Sequence, residues 1–225
     1  ALAFDPGLLA LSRVAGSLIL AVSFLVLAWA MWRDGRYPCA APTRLAGVLA
    51  GLALLSGAAV WMGLLALGLT WAIGQGLGGK QLVTRHSSLI AAPAQHLLGW
   101  KPALAYMLGT LFLGGSLFLL APSGLSALVA SLLAFVKGWW TPSGERVIHL
   151  LNALAAYQLM ALIFGILALV RGLLNKDRLV IGLGLWAGVA LLLALVYPGR
   201  QVADLAWALL PLWALAALEL SRYTK

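Results

Sequence analysis

Acidic side chains are scarce in this 225-residue chain: Asp5, Asp34, Glu145, Asp177, Asp204 and Glu219 are all there are. A general base would have to come from those six or from His86, His96 and His149. The single cysteine, Cys39, excludes an intramolecular disulfide and a cysteine cluster for metal. There is no Gly-rich phosphate loop, no His-Glu-x-x-His and no Gly-x-Ser-x-Gly, which sets aside the soluble-enzyme classes that depend on them. The three histidines are spread over loops and helix edges without ligand spacing, so no metal site and no cofactor is assigned.

Apolar surface is what the chain has in excess. Val14 to Trp32 runs without a formal charge, 63% of all residues are hydrophobic and 9% are charged. About twenty such residues at roughly 1.5 Å each cross a ~30 Å hydrocarbon layer, where a helix satisfies its own backbone hydrogen bonds. Seven apolar segments are readable, near residues 8–32, 45–76, 103–120, 124–140, 147–170, 179–196 and 203–221. The expected fold is therefore all-α: one polytopic transmembrane helical bundle over residues 1–225, with six to seven crossings. The expected location is integral and multi-pass, in a bacterial-type plasma membrane.

The second segment is too long for one perpendicular crossing, and Ser56 with Gly57 is the expected break. The fourth follows Pro122, Ser123 and Gly124 and reads as a short re-entrant or interfacial helix. Gly47 with Gly51, and Gly184 with Gly188, form small-xxx-small pairs suited to close helix packing within the chain. Trp29, Trp32, Trp71, Trp100, Trp139 and Trp140 fall at segment ends as interface anchors, whereas Trp61, Trp186, Trp207 and Trp213 fall inside segments and are expected to pack in the bundle. His149, Asn152, Tyr157 and Gln158 bring polar groups into the fifth segment, for which interhelical hydrogen bonding is the default role.

A formal charge of +9 in a soluble protein would raise the question of nucleic acid. Here the cations lie between apolar runs, so the expected partners are membrane lipids, phosphate-bearing lipid carriers and other membrane subunits, with no nucleic acid. A seven-crossing count puts Arg33, Arg36, Arg44, Arg171, Lys176, Arg178, Arg222 and Lys225 on one side. It puts Arg13, Lys80, Arg85, Lys101, Lys137, Arg146 and Arg200 on the other, so the positive-inside rule barely chooses.

Two polar stretches stand out. Residues 76–101 gather Lys80, Arg85, His86, His96 and Lys101 between membrane segments, and guanidinium and ammonium groups beside hydroxyls suit a phosphate. The second, YPGRQVADLAW from Tyr197, has a Pro198–Gly199 turn, Arg200 at the surface and Asp204 at the start of the last segment. Arg200 and Asp204 are four apart and are expected to pair. Lys80, Arg85, Lys101 and Arg200 are the candidate phosphate-binding residues, with His86, His96 and Asp204 as polar partners. Asp34 and Asp177 read as local charge partners of nearby arginines. Glu145 reads as a helix-start residue after Ser143, and Asp5 as a helix cap or a substrate contact.

The phrases FDPGLLALSRVAGSLILAV, LAGVLAGLALLSGAAVWMGLLAL, GTLFLGGSLFLLAPSGLSA and LLALVYPGRQVADLAWALLPLWALAALEL together resemble the membrane region of the GT-C superfamily of polytopic glycosyltransferases, which take a sugar from a polyprenyl-phosphate carrier. The YPGRQ turn and the DLAWALLPL span are the distinctive part. The resemblance makes Arg200 a candidate contact to the carrier phosphate, and allows a divalent cation if sugar transfer occurs; no cofactor is otherwise expected. It also implies a catalytic Asp or Glu in the first extracytoplasmic loop, and no such loop is recognisable ahead of Asp5. The chain opens on Ala1 without a cleavable signal pattern. The expectation is a segment lacking the catalytic end, inactive alone and with no catalytic residue assignable, or alternatively a non-catalytic accessory subunit of a larger membrane complex. A transporter ranks third, since no persuasive inverted repeat is found.

Overall fold

A computed structural model describes residues 17–33, 41–77, 97–116 and 123–223. They form α1 (Ser17–Arg33), α2 (Ala41–Leu55), α3 (Ala59–Leu77), α4 (Leu97–Gly115), α5 (Ser123–Lys137), α6 (Val147–Tyr157), α7 (Leu159–Leu174), α8 (Arg178–Val196), a 3-10 turn at Val202–Leu205 and α9 (Ala206–Tyr223). No strand occurs among the described residues.

The long second segment breaks where expected. Ser56 turns its hydroxyl back to the Ala53 carbonyl at 2.5 Å, competing with the helical ladder. Gly57 then adopts φ 114°, a conformation L side chains rarely reach, and α3 starts afresh at Ala59. The fifth segment divides as well, unexpectedly: α6 and α7 meet at 87° across Gln158.

The expected six to seven crossings need correction. Among the described residues three helices are long and apolar enough to cross a membrane: Ala59–Gly76, Arg178–Val196 and the run Val202–Tyr223. The bent α6–α7 pair makes four if taken as one span. Over their described residues α2 and α5, with 15 each, reach about 22 Å and α1, with 17, about 25 Å, short of the ~30 Å layer, whereas α4 matches α8 in length but carries Lys101 and Pro102 within it.

The described chain falls into two compact units. One holds residues 17–61 and 77–135, where α2 packs on α1 and α4. Gly47 and Gly51 make that approach close: a Cβ on Gly47 would run into the Ala103 backbone, and one on Gly51 would come within 2.9 Å of Thr110 Cβ. This pair therefore serves packing inside the chain, as expected. In the same unit the Trp61 indole donates to the Ser131 hydroxyl at 3.1 Å.

The other unit holds residues 62–76 and 136–223. Its axis is α9, buried along most of its length through Trp207, Leu209, Leu212 and Leu215, with α7 and α8 packed on it. Of the three spanning-length runs, the one containing α9 has 61% of its residues buried, against 28% and 22% for the others, which identifies it as the core helix. Trp207 lies against Gly63 of α3 so closely that any Cβ there would strike its ring. Gly184 likewise admits Leu169, whereas Gly188 faces open space, so only one member of that pair is a packing contact among the described residues. Leu159, Met160, Ile163, Ile166, Val170 and Leu174 of α7 point outward. Apolar surface of this extent is unusual on a soluble monomer.

Candidate functional site

The long helix α8 separates two polar ends of this second unit. Asp177 caps its start, Tyr197 its finish, and 19 residues put about 28 Å between them.

At the Tyr197 end, the sequence YPGRQ makes a turn that a second segment grips. Ser143 donates its backbone N–H to the Pro198 carbonyl at 3.0 Å and its hydroxyl to the Arg200 carbonyl at 2.7 Å. The Trp139 ring meets Tyr197 edge-on at 5.2 Å. Gly199 lies so near Gly138 that a Cβ on Gly199 would come within 3.0 Å of the Gly138 backbone, which explains the glycine at 199. Burial, and after it the charge of Asp204, pushes the Tyr197 hydroxyl above its ordinary pKa.

Asp204 closes the start of the last helix. Its carboxylate accepts the Gln201 N–H at 2.9 Å, while the Gln201 side chain accepts from the backbone at Asp204, a reciprocal capping box. The expected Arg200–Asp204 ion pair does not form, because capping takes the carboxylate first. Arg200 is half-buried, its Nε is enclosed, and that N–H has no hydrogen-bond partner among the described residues. The enclosed N–H itself is closed to an incoming group, so an oxyanion at this turn would meet the terminal nitrogens of the half-buried guanidinium, whose backbone Ser143 fixes.

Glu145 is not the helix-start residue expected after Ser143, because the helix begins at Val147 with Arg146 at its cap position. Arg146 precedes α6 without a side-chain cap, and Ser143 spends its hydroxyl on the turn instead, with Glu145 N–H 3.4 Å away. His149 and Asn152 are exposed on α6. Gln158 is buried and accepts the Trp213 indole N–H at 3.0 Å, an interhelical bond of the kind expected for this segment.

At the Asp177 end both acids lie within ion-pair distance of arginines, Glu219 Oε1 makes no aligned hydrogen bond, and Lys176 is left over among the described residues. Glu219, with no exposed surface, lies 2.6 Å from the Arg171 guanidinium and 3.4 Å from that of Arg222. Arg222 also reaches Asp177 at 3.7 Å, and Asp177 accepts the Leu179 N–H at 3.1 Å. Asp177 is thus a local charge partner as expected, though of Arg222 rather than of its sequence neighbours. Glu219 was not singled out by sequence. The available signal was an acid within an apolar helix, three residues before an arginine.

Of the other sequence-derived candidates, Lys80, Arg85, His86, His96 and Asp5 lie outside the described residues. Lys101 is exposed on α4 and belongs to the first unit, whereas Arg200 belongs to the second. A hollow of about 300 Å³ in the first unit, beside Leu55, Gly57 and Gly114, is apolar apart from Ser131, whose hydroxyl is already engaged by Trp61. Among the described residues no three His, Cys, Asp or Glu side chains converge on a cation position. No protein-family model, no curated protein and no solved structure matches this chain.

Proposed function

We propose that this chain is a multi-pass membrane domain that binds the phosphate of a lipid-linked carrier, of the polyprenyl-phosphate kind, at the turn containing Arg200. The observation that carries the reading is the half-buried Arg200 guanidinium, without an ion pair among the described residues, in a turn whose backbone Ser143 fixes. Around it, apolar helices of spanning length supply a hydrocarbon-compatible surface for the carrier's chain. The resemblance of the YPGRQ turn and the span after it to GT-C membrane regions agrees with this chemistry. Among the described acids, Asp204 is committed to capping and Glu219 and Asp177 to arginines, which leaves Glu145 alone and exposed ahead of α6. The function is therefore binding, and sugar transfer would need acidic groups supplied by another chain or segment.

The test uses purified chain in neutral detergent with a fluorescent polyprenyl phosphate and the matching polyprenyl alcohol. Binding of the phosphate and not of the alcohol is the expected result. A polyprenyl-phosphate sugar offered with candidate acceptors should remain intact. Equal binding of alcohol and phosphate would overturn the phosphate site, and turnover by the chain alone would overturn the assignment of binding without transfer.

A further inference from the structure

The connection between α7 and α8 has the geometry of a Schellman motif: Asp177 N–H bonds the Gly172 carbonyl at 2.8 Å and Lys176 N–H bonds the Leu173 carbonyl at 3.3 Å. In that motif the residue in the left-handed conformation is usually glycine, because a Cβ is penalised there. Here it is Lys176, at φ 53°. In a chain with 25 glycines, a lysine at this position accepts local strain, and strain that persists in a native structure is a pointer to function.

The surroundings indicate the ligand. Among the described residues, Arg171, Lys176, Arg178 and Arg222 stand at this end with Asp177 and Glu219 as its acids. Both acids are held by arginines, and Lys176 is exposed with no ion pair among the described residues. Beside it, Leu174 is 78% and Tyr223 65% exposed, and the Arg171 guanidinium lies 5.9 Å from the Tyr223 ring centre. An exposed leucine and tyrosine next to an uncompensated cation match the boundary between headgroups and acyl chains, where apolar groups enter and the cation remains at the phosphate level.

We infer that the turn at Lys176 is a binding site for anionic phospholipid headgroups, separate from the Arg200 turn at the other end of α8. The inference rests on the membrane placement proposed above but not on the Arg200 site. A lysine near an anionic surface contributes roughly 1 kcal/mol, which corresponds to about a fivefold preference.

The experiment compares retention of dansyl-phosphatidylglycerol and dansyl-phosphatidylcholine by the purified full chain in neutral detergent, read as energy transfer from tryptophan. Wild type is expected to prefer phosphatidylglycerol about fivefold. Lys176→Gly is expected to lose that preference while its thermal midpoint holds or rises, since glycine relieves the left-handed strain. Lys176→Gln, which keeps the strain and drops the charge, is expected to lose the preference too. Arg200→Gln is expected to leave it intact, which separates this site from the phosphate-carrier site. If the chain stays dispersed and monomeric without detergent, the membrane placement has failed rather than the headgroup site. A preference retained in both Lys176 variants, or no preference in wild type, would overturn the inference. Full displacement of the lipid by millimolar inorganic phosphate would overturn it as well, by showing a free-anion site.

Discussion

The two ends of α8 solve the problem of charge beside an apolar bundle in opposite ways. At the Asp177 end, buried Glu219 is neutralised by Arg171 and Arg222, and the same arginine reaches Asp177, so α7, the α8 start and α9 are tied through side-chain charge. At the Tyr197 end the ties run through backbone: Ser143 bonds two carbonyls of the turn, Gly138 and Gly199 touch, and Asp204 caps its own helix. That second arrangement leaves a cation over, because Asp204 is used before Arg200 can reach it. An end closed by ion pairs is a clamp; an end closed by backbone bonds leaves its arginine without an ion pair among the described residues.

The sharpest way to break this contrast is at the clamp. Arg171→Met leaves the fully buried Glu219 with only the longer Arg222 contact, and should cost about 3 kcal/mol of stability, measured by unfolding in detergent. Adding Glu219→Leu should restore most of the loss, because an apolar pair removes the stranded charge. If the single substitution is silent, the clamp is a surface pairing and the contrast collapses.

The next effect belongs to the seating of α9 below the turn. Gly63→Ala drives a methyl into the Trp207 ring and should cost about 2 kcal/mol by overpacking. Gly188→Ala, with open space around it, should be neutral or stabilising by up to about 1 kcal/mol through helix propensity. Equal responses from the two glycines would mean that Trp207 does not fix the helix.

Smaller still is the lock on the turn. Ser143→Ala removes the hydroxyl bond to the Arg200 carbonyl and should cost about 1 kcal/mol, with weaker polyprenyl-phosphate binding because the guanidinium is less well held. Smallest is Lys176→Gly, expected to stabilise by about 0.5 kcal/mol as left-handed strain is relieved against the extra backbone freedom of glycine. A destabilised Lys176→Gly variant would mean that the side chain has a packing role instead.

How legible each feature was follows from how local its cause is. Ser56 and Gly57 break a helix through their own side chain and φ angle, so the break was readable from the sequence. Trp207 inside its segment, and the close approach at Gly47 and Gly51, followed from residue size. The 87° bend at Gln158 was not readable as a bend. Its amide is held by Trp213, 55 residues away, and hydropathy alone reads α6 and α7 as one run. The crossing number failed for a similar reason: an apolar stretch shows burial in lipid or in protein alike, while helix length depends on where each turn falls. Arg200 stood out in the sequence as a candidate, but its expected pairing with Asp204 was lost to a capping bond that the i, i+4 spacing does not reveal.

The central claim is that Arg200 is a ligand arginine and not a structural one. Its most direct test is the affinity of purified chain for a fluorescent polyprenyl phosphate, measured for wild type, Arg200→Gln and Arg171→Met in the same detergent. The account predicts that Arg200→Gln weakens binding about tenfold or more, as expected for a lost charge-assisted hydrogen bond, with the unfolding midpoint nearly unchanged. It predicts the reverse for Arg171→Met in any fraction that remains folded: lower stability and unchanged affinity. Wild-type affinity in Arg200→Gln, or a collapse of its stability to match Arg171→Met, would contradict the account.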